Sequence, residues 1–271
     1  MRMNNVIRIT IYTLRDSLRH RSVYVLLGFS ILFVWMIRGC YDGGYTVNGK
    51  ALDTATIAWH VSKIVFHLIT AGMMLIATLL SMKIFSRDEA DGSLVLFLSR
   101  PVFRWQYVLG RVIGTWVLCL VFMFMLHGTI VLTVWARTGA LIPGYLSASL
   151  VCSISLLFVI ACVCLFSLFM PDFTSALFTL GILFIGFISD GGYQILSSDF
   201  FRSAAPSSMP PEPAFWRVLY PKVFMVQAYA DAIIGQSEFH NMGPVHPLLN
   251  LFLFIFLLMA LLLNRFNRKE I

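Results

Sequence analysis

The chain contains 271 residues, of which 59% are hydrophobic and only 12% carry a charge. A soluble domain needs about twice that charged fraction to cover its surface, so the composition excludes one. The 24 phenylalanines and 6 tryptophans also exclude a disordered chain, which is poor in aromatic residues. The composition predicts an integral membrane protein, whose net charge of +7 bears on topology rather than on a nucleic-acid partner.

Six stretches without charged residues are long and apolar enough to cross a bilayer as helices. A spanning helix needs roughly 17–25 such residues, and an arginine at its end can extend a shorter one by reaching the interface. The stretches are continuously apolar, whereas the strands of a β-barrel alternate apolar and polar residues. The predicted spans are residues 22–37, 64–82, 112–136, 146–170, 173–189 and 248–263. The sequence therefore predicts an all-α integral membrane protein with six transmembrane helices in one domain, residues 1–271.

The basic residues predict the orientation of these spans. Lysine and arginine concentrate on the cytoplasmic side of membrane proteins. With both termini inside, 13 of the 20 lysines and arginines fall in the inside segments and 7 in the longer outside segments. We therefore predict an N-in, C-in topology.

The first 21 residues have the pattern of an amphipathic helix that lies on the membrane surface. An apolar stripe and a basic stripe run side by side at helical spacing. The apolar stripe contains Ile7, Ile11, Leu14 and Leu18, and the basic stripe contains Arg8, Arg15 and Arg19. This pattern predicts an interfacial helix over residues 1–21 that contacts membrane lipid.

The longest predicted outer segment covers residues 190–247 and contains seven of the ten prolines. Within it, Pro221 at the start and Gly235 at the end predict a short helix. Its apolar stripe contains Val223, Val226, Ala230, Ile233 and Ile234, whereas Gln227 and Asp231 are expected to face away. Its charges and length argue against a seventh span. We expect it to lie on the outer surface or to re-enter the membrane.

The sequence contains no motif for nucleotide binding or for known hydrolytic chemistry. There is no G-x-x-x-x-G-K-[ST] loop, no G-x-S-x-G elbow and no H-E-x-x-H pair. Cys162 and Cys164 are about 200° apart on a helix, so they cannot share one metal ion on one helix face. We therefore expect no catalytic, cofactor or metal site in this chain.

The predicted membrane cores contain no Asp, Glu, Lys or Arg. Carriers driven by protons or sodium normally place carboxylates or broken helices there, so their absence argues against a secondary transporter. His67 and His127 are expected to bond neighbouring helices, or to line a polar path together with Thr129 and Ser153. A protein with these features is expected to obtain its energy from a partner.

The predicted inside loop, residues 83–111, is the segment that indicates a partner. Three acidic residues, Asp88, Glu89 and Asp91, precede an apolar run over 94–98. Pro101 ends that run, and a new helix is expected to begin at Arg104. An apolar run that faces the cytosol needs a cover, either from its own bundle or from a groove on another protein.

This loop resembles the signature loop of ABC-2 type ABC transporter permeases. The matching residues are Asp88-Glu89-x-x-Gly92-Ser93, then Leu98-Ser99-Arg100-Pro101-Val102-x-Arg104, then Gly110-Arg111. The usual pattern has threonine at the position of Ser93 and lysine at the position of Arg111. The order of the predicted elements agrees with the family over nearly the whole chain.

The resemblance implies an ATP-driven exporter whose permease subunit is this chain, in the inner (cytoplasmic) membrane of a prokaryote. Permeases of this family pair with a second copy and dock the inside loop onto a separate soluble ATPase, which binds ATP and Mg²⁺. Carried over, the docking residues are Asp88, Glu89, Gly92, Phe97, Leu98, Ser99, Pro101 and Arg104.

Two other hypotheses stay open. The chain is alternatively a non-transporting membrane anchor or scaffold that holds an extracytoplasmic protein through residues 190–247. A membrane enzyme acting on lipid is the third hypothesis, and its only candidate residues are Asp190, Asp199, His240 and His246. An apolar, aromatic path with few charges suits an amphiphilic substrate better than a bare ion.

Overall fold

The computed structural model is a helical bundle with one short strand pair. It describes residues 3–19, 46–47, 50–51, 54–92, 102–139, 141–196, 219–239, 241 and 244–268, and nine scattered positions between 24 and 39. The helices are α1 (Met3–Arg19), α2 (Thr54–Ser81), α3 (Ile84–Ala90), α4 (Arg104–Thr138), α5 (Tyr145–Phe166), α6 (Asp172–Leu196), α7 (Val223–Gly235) and α8 (Pro247–Asn267). The strands β1 (Thr46–Val47) and β2 (Lys50–Ala51) pair antiparallel, with Thr46 opposite Ala51.

Five candidate membrane spans lie among the described residues, and this confirms a multi-pass, all-α protein. They are Ile57–Ala90, Arg104–Thr138, Tyr145–Phe166, Asp172–Gln194 and Pro247–Asn267. Only half of the first predicted span, residues 22–37, lies among the described residues, at scattered positions. The six-span count and the N-in, C-in topology therefore stay predictions.

Helix α5 is the centre of the bundle and contacts α2, α4, α6, α7 and α8. Small side chains make this possible, because they let neighbouring helices approach closely. The small residues buried along α5 are Ala148, Ser149, Cys152, Ser153, Ser155, Ala161, Cys162 and Cys164. By contrast, α6 and α8 bury only 28% of their most apolar windows and expose long apolar faces.

Helices α2 and α6 extend beyond their predicted spans because the charged residues Lys63 and Asp190 do not end them. Helix α2 begins at Thr54, ten residues before the predicted start, and buries Ala58 and Ser62 in this extension. Helix α6 continues past Asp190 to Leu196. Lys63 and Asp190 each pair with an oppositely charged residue from another part of the chain, so each charge is accommodated within a helix.

The predicted short helix after Pro221 is present as α7, and it packs into the bundle against α2, α5, α6 and α8. Its predicted apolar stripe is largely buried, with Val226 and Ala230 at 0% exposure. The expectation that Gln227 faces away is wrong, because this side chain is 5% exposed. Asp231 is only half-buried and pairs with residues of α2.

Helix α1 lies along α4, which the sequence did not predict. Ile9 and Thr13 are buried in this contact, opposite Gly110 and Gly114. A Cβ atom on Gly110 would lie 2.6 Å from Ile9 Cγ2, and one on Gly114 would lie 2.7 Å from Thr13 Cβ. The Gly110-x-x-x-Gly114 spacing thus provides the groove that seats α1. The exposed face of α1 includes Ile7, Ile11 and Leu18 of the predicted apolar stripe.

Candidate functional site

A buried, hydrogen-bonded polar site lies where α3 meets α4. Arg111 Nη2 donates to Asp88 Oδ1 at 2.6 Å and forms an ion pair with Asp88 Oδ2 at 2.5 Å, and the Tyr107 hydroxyl donates to the same carboxylate. The side chains of Arg111 and Asp88 are only 5% and 8% exposed. We call these three residues the Asp88 cluster. Since a buried charge is stable only when paired and hydrogen-bonded, each member depends on the others.

Side chains of helix α3 contact four other helices. Besides the Asp88 cluster on α4, Arg87 pairs with Asp16 of α1 at 3.5 Å. Ser86 donates to Asp172 at the start of α6 at 2.6 Å. Phe85 packs against Phe266 of α8, with ring centroids 5.4 Å apart. A displacement of α3 would therefore disturb its contacts with α1, α4, α6 and α8 at the same time.

The contact between α1 and α4 continues the Asp88 cluster. Arg111 Nη1 donates to the Thr13 hydroxyl at 3.4 Å, and Asn5 Nδ2 donates to Gln106 Oε1 at 3.4 Å. Thr10 donates to the Gly110 carbonyl at 3.4 Å. One side chain, Arg111, thus contacts both α1 and α3 from α4.

The predicted docking residues have different surroundings in the structure. Asp88 is buried and directed into the protein, whereas Glu89 and Gly92 are exposed at the end of α3. Gly92 has a φ of +66°, which only glycine adopts without strain, so a tight turn follows α3. Arg104 donates to the Asn267 carbonyl at 2.9 Å. Phe97, Leu98, Ser99 and Pro101 lie outside the described residues, and the docking role stays a prediction for the whole set.

The predicted path residues are engaged in local contacts. His127 is fully buried, bonds Ser149 at 2.7 Å through Nδ1, and stacks on Phe66 at 4.5 Å between ring centroids. Thr129 and Ser153 donate to carbonyls of their own helices at 2.7 and 2.6 Å. His127 therefore joins α4 to α5, as the first of its two predicted roles requires. Its path-lining role stays a prediction.

His67 belongs to a second charged cluster, near the middle of α2. Its Nε2 lies 3.5 Å from Asp231 Oδ1 on α7, and Lys63 donates to Asp231 Oδ2 at 3.1 Å. The hydrogen bond from His67, followed by the interactions with Lys63, lowers the pKa of Asp231 below its ordinary value. The ammonium of Lys63 also lies 4.5 Å from the centre of the Trp59 ring. These contacts fasten α7 to α2.

The other end of α7 is fastened by a buried ion pair. Lys222 donates to Asp190 Oδ1 at 2.7 Å, and the Tyr220 hydroxyl donates to the same carboxylate. The Lys222 amide donates to Asn250 of α8 at 3.1 Å. Of the candidate residues for a lipid-acting enzyme, Asp190 is thus engaged in the ion pair with Lys222. The His246 side chain accepts a hydrogen bond from the backbone at the start of α8. Asp199 and His240 lie outside the described residues.

We expect Asp231→Asn to loosen α7 at neutral pH and to have no effect in strong acid. Because folding lowers the pKa of Asp231, its stabilising effect is complete above the ordinary value of 3.8 and is lost as the pH falls through the folded-state value. Thermal unfolding of the purified protein between pH 7 and pH 3 measures this. A difference between variant and wild type that persists unchanged at the lowest pH would contradict this assignment.

Several site residues escape sequence reasoning because their partners are distant in the chain. Nothing in the sequence indicates that Tyr107 and Arg111 are buried. Asp88 is the first residue of the signature loop and Arg111 is the last. In the structure these two ends meet. Asp231 and Lys63 are 168 positions apart, and Lys222 and Asp190 are 32 apart. Among the described residues, no group of three or more His, Cys, Asp or Glu side chains is arranged to hold a metal ion.

A family model supplies the observation that identifies the chain. The model described as "ABC-2 family transporter protein" matches residues 9–271. The chain belongs to the ABC-2 transporter family. A search of curated proteins finds no match. The matched segment begins inside α1 and includes the Asp88 cluster, so the ABC-2 permease assignment covers the rest of α1 and every later element discussed above.

Proposed function

We propose that this ABC-2 protein is the permease subunit of an ATP-driven exporter. Family membership and the multi-pass fold support an association with an ATPase subunit. The observation that carries the proposal is the fastening of α3 to α1, α4, α6 and α8. A force applied to α3 would reach these four helices through the contacts that α3 makes with them.

The proposed mechanism places residues 83–111 in the cytosol, with both termini inside and α1 on the inner membrane of a prokaryote. A soluble ATPase, loaded with ATP and Mg²⁺, engages Glu89, Gly92 and the segment around Leu98. Closure of two ATPase subunits moves the loops of two permease copies. The Asp88 cluster then transmits this movement to α4 and, through Thr13, to α1. The chain itself hydrolyses nothing, and the partner ATPase supplies the energy.

The exposed apolar faces of α6 and α8 suit contact with lipid and with a second permease copy. Phe184, Ile185 and Phe256 are 66%, 68% and 78% exposed in the single chain. Because aromatic and aliphatic faces of this kind need an apolar surrounding, they fit a bilayer or a helix interface. An amphiphilic substrate matches such surfaces better than a bare ion does.

Co-purification with an ABC ATPase subunit expressed together with this chain tests the proposal. We expect Glu89→Ala combined with Leu98→Asp to abolish co-purification, because the pair removes a charged contact and places a carboxylate in an apolar groove. The matched control is Glu238→Ala with Leu219→Asp, two exposed positions on the proposed outer side.

The control variant should retain the ATPase at the wild-type level, and both variants should still insert into the membrane. Retained binding by the first variant would contradict the docking role. A wild-type protein that captures no ATPase, but does capture an extracytoplasmic protein through residues 190–247, would instead favour the anchor or scaffold hypothesis.

A further inference from the structure

A cleft opens beside the Asp88 cluster, between α1, the turn from α2 to α3, and α4. Its cavity volume is about 140 Å³, and its walls include Asp16, Ser17, Leu79, Lys83 and Arg87. A cavity of similar volume accommodates a molecule the size of benzene, so a phosphate group fits. The cleft is polar at the α3 end and apolar at the α2 end.

The apolar end continues as an exposed stripe along α2. Ile64, Leu68, Leu75 and Leu79 are 70%, 54%, 50% and 57% exposed, and their spacing places them on one helix face. The face continues into α3 with little interruption, because Met82 donates to the Thr78 carbonyl at 3.1 Å and Arg87 to the Lys83 carbonyl at 3.1 Å. The exposed face is therefore apolar along α2 and becomes basic at the cleft, where Lys83 and Arg87 lie.

The charges around the cleft favour a single anion. Its lining contains three basic residues (Lys83, Arg87 and Arg111) and two acidic residues (Asp16 and Asp88), which leaves a net charge of +1. Arg87 contacts Asp16 and Asp91 at 3.5 Å, longer than the roughly 2.7–2.9 Å of a close charge-assisted hydrogen bond. No hydrogen bond or ion pair of the Lys83 side chain is found among the described residues. Lys83 and Arg87 are also four positions apart, where like charges repel.

We propose that this cleft binds the phosphodiester group of an anionic phospholipid from the cytoplasmic leaflet. Lys83 and Arg87 contact the phosphate, and one acyl chain lies along the stripe from Leu79 to Ile64. The apolar stripe and the net positive charge meet at one place, which is the arrangement that a lipid headgroup with its chain requires. The orientation of the lipid rests on the proposed N-in topology. The bound lipid joins α1 to α3, since the cleft lies between them.

Native mass spectrometry of the full chain in detergent, titrated with phosphatidylglycerol, tests this site without the ATPase. We expect one tightly retained lipid in the wild type. Retention should weaken about fivefold for Lys83→Gln and about thirtyfold for Lys83→Gln with Arg87→Gln. Arg15→Gln is the matched control, because Arg15 is an exposed arginine of α1 outside the cleft. It should retain phosphatidylglycerol as the wild type does.

Three further measurements distinguish this site from general attraction to the membrane. Ser17→Trp fills the cleft and keeps both charges, and it should also lose the retained lipid. Phosphatidylcholine, whose choline cancels the phosphate charge, should bind several-fold more weakly. Inorganic phosphate should not displace phosphatidylglycerol.

Equal losses in Arg15→Gln and Lys83→Gln, wild-type retention in Ser17→Trp, or displacement by inorganic phosphate would each overturn the proposal. None of these readouts depends on an ATPase partner, so the site can fail independently of the proposed function.

Discussion

Replacing Arg111 by methionine is expected to cost about 3–5 kcal/mol of unfolding free energy, because the Asp88 carboxylate is then buried without its cation. Tyr107 still donates to that carboxylate, but one neutral donor does not replace a charged pair. The measurement is chemical or thermal unfolding of the purified protein in one detergent. Arg137→Met is the control, since Arg137 lies exposed near the other end of the same helix.

The double variant Arg111→Met with Asp88→Leu should recover most of that loss. A buried ion pair replaced by apolar side chains of similar size is often close to neutral in stability, since both desolvation costs disappear together. The double variant is nevertheless expected to lose ATPase-coupled transport, because α3 loses its polar attachment to α4. If the costs of the two single substitutions simply add, then Asp88 and Arg111 do not stabilise each other.

Gly114→Leu is expected to displace α1 from α4. Even a Cβ at this position would lie 2.7 Å from Thr13 Cβ and 3.2 Å from the Thr10 carbonyl oxygen, so the two backbones must separate. Overpacking of this kind costs about 1–3 kcal/mol, which corresponds to about 5- to 150-fold less protection of the α1 amides from hydrogen exchange.

The control for this prediction lies in the same helix. A Cβ on Gly128 meets nothing within 4 Å, so Gly128→Leu should leave α1 protected. Hydrogen exchange followed by mass spectrometry separates the two variants directly. Unchanged protection of α1 in Gly114→Leu would show that the groove is not what holds this helix.

The helices could be predicted from sequence because apolar stretches of this length have few other stable forms in a membrane. Helix α7 was placed within two residues of its start by Pro221, and its end was predicted correctly at Gly235. The start of α2 was missed because Lys63 was treated as a boundary. Its partner, Asp231, is 168 positions away, and no local pattern reports such a pairing.

The sequence showed which segment contains the candidate site, but it did not show which of its side chains are in contact. The acidic start of the loop at Asp88 and the basic residue at Arg111 are both visible in the signature, yet their contact follows from the path of the chain between them. The packing of α1 against α4 is reflected in the sequence by the spacing of Gly110 and Gly114, which is typical of closely packed helices. The docking segment from Phe97 to Pro101 lies outside the described residues.

The small residues that let α5 sit at the centre of the bundle have a practical consequence for labelling experiments. Four of the five cysteines, Cys119, Cys152, Cys162 and Cys164, are free and buried in α4 and α5. Aqueous thiol reagents should therefore not reach them in the folded protein. Replacing Cys40 alone should give a background on which a single new cysteine, at Glu89 or Glu238, reports which side of the membrane it faces. Because the other four cysteines are buried, a single substitution at Cys40 prepares the chain for topology mapping.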